Sequence, residues 1–228
     1  MPLSHRSFSI AIAFASAVLI ASFPTGLQAQ DQQRPEGWDV RFDSPEATED
    51  QLEAFTVMTP GWHVTSGPAA IYAPPEEASG NYRLEMEVFL FDPGRRREAF
   101  GIFFGGMDLM GDGVEYSYFL IRNGGEFIVK RREGPEAPTL LPWTANDAIL
   151  AWDDRDEGGA SVKNVLVVEA GSDNVRFMVN DVEVASLPRS EVPADGRFGF
   201  RVNHGLNLHI SRLEMTELEA HPVMRPAL

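Results

Sequence analysis

The sequence predicts an all-β fold, a jelly-roll sandwich of two antiparallel sheets. From residue 55 onward, short stretches rich in Val, Ile, Phe and Tyr alternate with Gly, Pro, Asn and Asp, a pattern typical of β-sandwiches and barrels. Residues 81–91, NYRLEMEVFLF, alternate between apolar and polar side chains, as a strand with one buried face does. No stretch shows the apolar period of a helix. Roughly twelve strands can be drawn, too many for an immunoglobulin domain and suited to a large jelly roll.

The N-terminal residues have the layout of a secretory signal peptide. A mildly basic start is followed by an apolar run from Ile10 to Phe23 and by small residues near Ala29. The run is too short to span a bilayer comfortably. We therefore expect a cleaved signal peptide, and an uncleaved N-terminal anchor is the alternative. The sequence divides into a signal peptide, a polar leader, one sandwich domain and a C-terminal tail: residues 1–29, 30–54, 55–218 and 219–228.

The composition indicates in which compartment the protein works and which partners it does not bind. The chain has 228 residues and no cysteine, and its 34 acidic and 19 basic side chains give a formal net charge of −15. An exported chain without cysteine cannot rely on disulfides, which favours a bacterial origin. A strongly negative field repels nucleic-acid phosphates and anionic lipids. We therefore expect a secreted or periplasmic protein that binds no nucleic acid and no membrane beyond its signal peptide.

Turn residues divide the chain into strands. Pro60-Gly61 separates the first two strands of the domain, and Asn123-Gly124 predicts a two-residue hairpin turn. His204-Gly205 joins the two closing strands, and an irregular stretch is expected over 134–162. The predicted strands are WDVRF within the leader, then FTVMT, WHVTS, AAIY, NYRLEMEVFLF, EAFGIFFGG, VEYSYFLIR, GEFIVKRRE, KNVLVVEAG, NVRFMVND, VEVASL, RFGFRVN and LNLHISRLEM.

The order of these parts, from Trp62 onward, resembles the concanavalin A-like lectin/glucanase superfamily. The passages that carry the resemblance are GWHVTSGPAAIY, NYRLEMEVFLF with EAFGIFFGG, VEYSYFLIRNGGEFIVKRRE, NVLVVEAGSDNVRFMVNDVEVASL and GRFGFRVNHGLNLHISRLEM. Within this superfamily the chain is similar to laminin G-like binding modules. It is also similar to the 3-keto-disaccharide hydrolase-like family, whose His-Gly pair matches His204-Gly205. It departs from that family at 209–212, where HISR replaces an aromatic residue and an Arg-Asn pair.

The resemblance implies either carbohydrate binding or a glycoside-active enzyme. Retaining glycosidases of this fold use two carboxylates on one strand face as nucleophile and acid/base. Glu85 and Glu87 share a face, but no third acid follows in register, and pairing with arginines such as Arg201 is the competing interpretation. We therefore expect an exported, non-catalytic carbohydrate-binding or interaction module whose partner is a carbohydrate or cell-envelope glycan. The alternative is a hydrolase related to the 3-keto-disaccharide family, with His204, His209 or these glutamates in its site.

Candidate binding residues lie on two predicted strand faces. Aromatic rings stack on sugars, and Arg and Asn reach hydroxyl groups. The face that carries Tyr116 and Tyr118 either forms such a groove or packs against the second sheet. His209 leaves the core side of its strand and is expected to form a polar patch with Arg201 and Asn203 of the neighbouring strand. His204 is expected to be a solvated turn residue. The predicted binding residues are Tyr116, Tyr118, Arg122, Arg201, Asn203, His209 and Glu85.

Two acidic loops are candidates for calcium, which the resemblance implies as the one cofactor to test. MDLMGDG (107–113) and DDRDEGG (153–159) place carboxylates in glycine-containing loops, and Ca²⁺ prefers oxygen ligands. Neither loop follows the EF-hand spacing, and acidic surface loops are the alternative interpretation. The candidate metal ligands are Asp108, Asp112, Asp153 and Asp154.

Overall fold

The computed structural model describes residues 35–219, so the predicted signal peptide and nearly all of the predicted tail lie outside the described residues. No helix within the described part is long and apolar enough to cross a membrane. The strands are β1 (Asp39–Phe42), β2 (Leu52–Val57), β3 (Trp62–Ser66), β4 (Ala70–Ala73), β5 (Glu77–Ala78), β6 (Tyr82–Phe91), β7 (Ala99–Met107), β8 (Glu115–Arg122), β9 (Glu126–Glu133), β10 (Thr139–Ala145), β11 (Ser161–Ala170), β12 (Asn174–Val179), β13 (Val182–Pro188), β14 (Gly196–Val202) and β15 (Asn207–Glu217).

These strands form two sheets, which confirms the predicted jelly-roll sandwich. One sheet has eight strands in the order β1-β4-β14-β7-β8-β9-β10, with β5 also paired to β14. The other has seven strands in the order β13-β12-β11-β6-β15-β3-β2. Strands that follow each other in the sequence frequently belong to different sheets, as β6 and β7 do and as β14 and β15 do. The closing pair of strands is therefore not a hairpin.

Strand alternation builds the core between the two sheets. In β6, the side chains at alternate positions from Leu84 to Leu90 are buried, as the sequence pattern predicts. They share one apolar cluster with the inward side chains of β7 and β8. Phe177 of β12 bridges the sheets, since its ring centroid lies 5.2 Å from that of Phe119 and 6.2 Å from that of Phe104. Aromatic burial of this kind supplies much of the free energy of folding in a chain without disulfides.

Two segments compare differently with the predicted strands. The strand predicted within the leader, WDVRF, is present as β1 and pairs with β4, while β2 begins at Leu52, before the predicted start of the domain at residue 55. Within the stretch expected to be irregular, β10 forms an edge strand that pairs with β9 through two register shifts. Pro142 lies in this strand. Because proline cannot donate to a ladder, it is tolerated at edges and bulges and hides such a strand from sequence patterns.

Candidate functional site

Tyr116 and Tyr118 lie on the face of the eight-stranded sheet that is turned away from the other sheet, called the outer face below. Phe119 and Ile121 alternate with them and enter the core, while the tyrosines belong to a separate apolar cluster. The tyrosines therefore do not pack between the sheets. They are only 3% and 6% exposed, because their rings are 5.7 Å apart and Tyr116 also contacts Phe103 at 5.5 Å. They form the floor of the outer face.

Arg201 of β14 connects this floor to the start of the domain. Its guanidinium donates two hydrogen bonds to the Asp43 carboxylate, one of them 2.8 Å long, and a third of 2.9 Å to the Tyr116 hydroxyl. Its Cζ also lies 5.1 Å from the ring centroid of Tyr118, a cation–π distance. The Arg201 side chain is 8% exposed and that of Asp43 is 31% exposed. The four residues, called the Arg201 network, hold Asp43 at the boundary between the sheet and solvent.

The charges of the Arg201 network stabilise each other. Burial acts to raise the pKa of Asp43, but the hydrogen bonds and charge of Arg201 outweigh burial and lower the pKa. Burial acts to lower the pKa of Arg201, but hydrogen bonding to Asp43 and nearby charges raise it overall. Burial raises the pKa of Tyr118 to about 12. Asp43 and Arg201 are thus a fixed ion pair at neutral pH, and both tyrosines are neutral.

A pocket of about 560 Å³ opens beside the Arg201 network. Asp43 belongs to both the network and the pocket wall. Arg41 donates hydrogen bonds of 2.9 Å to the carbonyl oxygens of Leu109 and Gly111, and so ties the loop 108–113 to β1. The pocket, called the Arg41–Arg132 pocket, is lined by Val40, Arg41, Phe42, Asp43, Ser44, Pro45, Ala47, Met110, Asp112, Arg132, Gly134 and Pro135.

Arg122 and Asn203 lie on the same sheet and both border Ala99 of β7: Arg122 pairs with Ala99 in register, and Asn203 follows β14 two residues after Arg201. Arg122 pairs with Glu126 and lies over the ring of Trp143, with Cζ 4.2 Å from the ring centroid. Trp143 is 38% exposed, whereas the ion-paired Arg122 side chain is 16% exposed, so Trp143 presents an aromatic ring to solvent here. The backbone N–H of Asn203 donates a hydrogen bond to the carbonyl oxygen of Ala99. Neither Arg122 nor Asn203 lines the Arg41–Arg132 pocket.

His209 and Glu85 lie on the seven-stranded sheet. His209 of β15 faces His63 of β3 in register, and Glu85 forms ion pairs with Arg83 and Arg212. The expected patch of His209 with Arg201 and Asn203 does not form, because β14 and β15 belong to different sheets. The expected pairing of Glu85 or Glu87 with Arg201 is wrong for the same reason.

His204 is a turn residue, as expected. Its side chain is 65% exposed, and its Nδ1 lies 3.6 Å from the carboxylate of Glu98. It is therefore placed between the last two strands, and it lines neither the Arg41–Arg132 pocket nor the face that carries His209.

The four candidate metal ligands lie in two separate loops. Asp108 accepts a hydrogen bond from the amide of Gly113 and so closes its own loop, while Asp112 lines the Arg41–Arg132 pocket. Asp153 and Asp154 belong to a single turn of 3₁₀ helix, where Asp154 accepts from the amide of Ala151. Within residues 35–219, no group of three or more acidic or histidine side chains is arranged to hold a metal ion. Calcium binding by these aspartates stays a prediction.

Apart from Asp112, which was proposed as a metal ligand, sequence reasoning missed the polar residues that line the pocket. Arg41 and Asp43 lie in the segment assigned to the leader, and Arg132 lies at the end of β9. A signal for two of them exists: the stretch WDVRFD alternates charged and apolar residues over six positions, as a strand with one polar face does. That signal places Asp39, Arg41 and Asp43 on one side of β1 but gives no indication of what they face.

Comparison with known proteins identifies the fold. No family model matches the chain, and no curated protein sequence matches it. Among solved structures, a carbohydrate-binding module CBM66 from Bacillus subtilis is 14% identical, with a TM-score of 0.57 over 79% of this chain and 96% of that chain. A Bacillus licheniformis beta-glucanase is 8% identical, with a TM-score of 0.56 over 82% of this chain and 95% of that chain.

A third solved structure, a Bacteroides ovatus mixed-linkage glucan GH16 protein in complex with its product, is 8% identical. Its TM-score is 0.52 over 82% of this chain and 97% of that chain. The resemblance noted in the sequence is thereby confirmed at the level of fold: the chain has a concanavalin A-like jelly-roll sandwich, as these structures do. Identities this low carry no further information about function.

Proposed function

We propose that this chain is an exported, non-catalytic carbohydrate-binding module and that it binds a sugar in the Arg41–Arg132 pocket. The observation that carries the proposal is the pocket itself. Its volume of about 560 Å³ is within the range of small-molecule sites. It combines a fixed carboxylate and two guanidinium groups with the apolar, exposed side chain of Met110. This mixture suits a ring that carries hydroxyl groups on its edge and C–H groups on its faces.

The Arg201 network prepares the pocket for hydroxyl recognition. Asp43 is ionised and held in place by Arg201, and each of its oxygens retains a lone pair that can accept from a sugar hydroxyl. Because the carboxylate is already ordered, binding a sugar costs little additional side-chain entropy at this position. Arg41 is similarly held by two backbone carbonyls. A preordered acceptor beside preordered donors is what recognition of neighbouring hydroxyls requires.

The glutamates of β6 favour a non-catalytic role. A general acid in a glycosidase needs a raised pKa. Glu87 has a lowered pKa, first because Ser211 donates a hydrogen bond to it and further because Lys163 lies close, although burial acts in the opposite direction. Glu85 is engaged by Arg83 and Arg212. The residues of the hydrolase alternative therefore lie away from the pocket or are committed to ion pairs.

The fold is compatible with the proposal, since one structural relative is described as a carbohydrate-binding module and another was solved with a glucan product. The fold alone does not select the function. Export, to the periplasm or the medium, is proposed from the N-terminal sequence alone, and cell fractionation with an antibody to the domain tests it.

A glycan array probed with the full chain tests the proposal. We expect binding to a defined class of sugar, lost in the variant Asp43→Ala and retained in Arg176→Gln, which changes an exposed arginine on the seven-stranded sheet. Each positive sugar is then incubated with the protein and its products are separated. Binding that survives Asp43→Ala would contradict the assignment of the pocket, and release of shorter sugars would establish the hydrolase alternative instead.

A further inference from the structure

The wall of the Arg41–Arg132 pocket carries more positive than negative charge once the ion pair of Asp43 and Arg201 is set aside. Asp43 accepts two hydrogen bonds from Arg201, so these two opposite charges cancel locally. The remaining charged groups of the pocket wall are Arg41, Arg132 and Asp112. Asp112 is an exposed loop residue, whereas both arginines are half-buried. The pocket therefore has a surplus positive charge in a chain whose formal net charge is −15.

The two arginines also retain unused donors. Arg132 donates through Nε to the carbonyl of Gly134, and its two terminal nitrogens make no hydrogen bond with any residue in the described part of the chain. Among residues 35–219, Arg41 donates through Nη1 alone, to the two loop carbonyls. The free N–H groups of these two half-buried guanidinium groups are available to a ligand, and a planar anion accepts from such groups in bidentate geometry. Neutral hydroxyl groups satisfy such donors less well, because they carry no charge.

We propose that the ligand of the Arg41–Arg132 pocket is an acidic sugar, a uronate whose carboxylate is bound by Arg132 and Arg41 while its hydroxyl groups bind Asp43. This inference rests on the proposed function and specifies its ligand class. The long-range field of the protein opposes anions, so the discrimination must come from these two side chains. Charge-assisted hydrogen bonds strengthen such a contact over its neutral counterpart by about tenfold or more in affinity.

Isothermal titration calorimetry with matched sugars tests the inference. The full chain is titrated at fixed salt with oligogalacturonate, oligomannuronate and a glucuronate-containing oligosaccharide, and with the carboxyl-reduced, neutral form of each. We expect at least one uronate to bind at least about tenfold more tightly than its reduced form. In Arg132→Gln this preference is lost, and in Arg132→Lys it is partly kept because the charge remains. Arg176→Gln, on the other sheet, should bind as the wild type does.

The possible outcomes separate the two proposals. If acidic and reduced sugars bind equally well, the inference is overturned and the proposed function stands. If only neutral sugars on the glycan array bind, the inference is likewise overturned and the proposed function stands. If no sugar of either kind binds, both proposals fall. A preference that persists in Arg132→Gln, with the melting temperature unchanged, would overturn the assignment of the carboxylate to this pocket.

Discussion

Arg201 determines the arrangement of the outer face. Its side chain is buried on a sheet face, where an unpaired guanidinium would be unfavourable. Three partners engage its terminal nitrogens and the face of its guanidinium group: the carboxylate of Asp43, the hydroxyl of Tyr116 and the ring of Tyr118. Asp43 follows β1, so this one side chain joins the first strand of the sandwich to its centre.

The Asp43→Asn variant should destabilise the domain. It leaves the charge of Arg201 without its counter-ion, and the cost of breaking such a pair is about 2–3 kcal/mol, less than for a fully buried pair because Asp43 is partly exposed. Urea unfolding followed by far-UV circular dichroism measures this loss. Asp112→Asn is the control, since Asp112 is an exposed side chain in the same pocket, and its effect should stay within about 0.5 kcal/mol. Equal stabilities of the two variants would contradict the role given to Arg201.

His63 should make the domain sensitive to mild acid. Burial lowers the pKa of His63 below its usual value of 6.5, and the charge of His209 opposite lowers it further. The unfolded chain then binds the proton more readily than the folded chain, so this site reduces stability as the pH falls below 6.5. Urea midpoints at pH 7.5 and pH ~5.5 should differ less in His63→Gln than in the wild type. His204→Gln, which changes an exposed histidine, should behave as the wild type; the same behaviour in His63→Gln would contradict the prediction.

The residues of the site show which features strand alternation predicts and which it does not. Alternation predicted that Tyr116 and Tyr118 share a face, and they do. Alternation could not show that His209 lies on a different sheet from Arg201, because the sheet is chosen by long-range pairing. Asp43 was missed because its partner lies 158 positions away in the sequence.

Among the elements, the turn between β8 and β9 shows most clearly how a turn can be predicted with the wrong length, here by one residue. Asn123-Gly124 predicted a two-residue turn, but Arg122 pairs with Glu126 and three residues form the loop. Gly125 has a φ of +78°, which glycine adopts without strain. The sequence NGG allows either arrangement, and only the pairing register distinguishes them.

Alanine substitutions in this turn should separate the two glycines. Gly125→Ala forces a side chain into a left-handed conformation and should cost about 1 kcal/mol in the free energy of unfolding. A Cβ at Gly124 meets side-chain ends, the Glu126 carboxylate at 3.3 Å and the Arg97 guanidinium at 3.9 Å, and Gly124 has no left-handed φ, so Gly124→Ala should cost less than Gly125→Ala. Thermal unfolding monitored by circular dichroism measures both. A larger effect at Gly124 would indicate the two-residue turn instead.

The order of strands explains which elements were predictable. Each strand of the sandwich is visible as a local pattern, except for β5, with two residues, and β10 with its proline. The pairing of β15 with β3 and β6 is not local, and it separates β15 from β14 although a turn of a few residues joins them. Local turn chemistry thus predicts where strands end, and the jelly-roll topology decides which strands meet.

At the scale of the whole molecule, the sandwich depends on contacts between sheets. The chain has no disulfide, since it has no cysteine, so its stability rests on the apolar layer that both sheets enclose. The fold is shared with binding modules and with glucanases, and a common core of this kind leaves the outer faces free to differ. The function therefore has to be argued from side chains such as Asp43 and Arg132, which the core does not constrain.

The Phe177→Ala variant tests this dependence on the central layer. Phe177 of one sheet packs on Phe104 and Phe119 of the other and is fully buried, so its truncation should cost about 3–5 kcal/mol. Phe89→Ala removes the same ring from the solvent side of β6, where Phe89 is half-buried, and should cost clearly less in the free energy of unfolding. Both are measured by urea unfolding, with far-UV circular dichroism and intrinsic fluorescence followed together. Because the sheets share one core, the two signals should change in a single transition in every variant. A Phe177→Ala protein as stable as Phe89→Ala, or one with two separate transitions, would show that the sheets are stabilised independently.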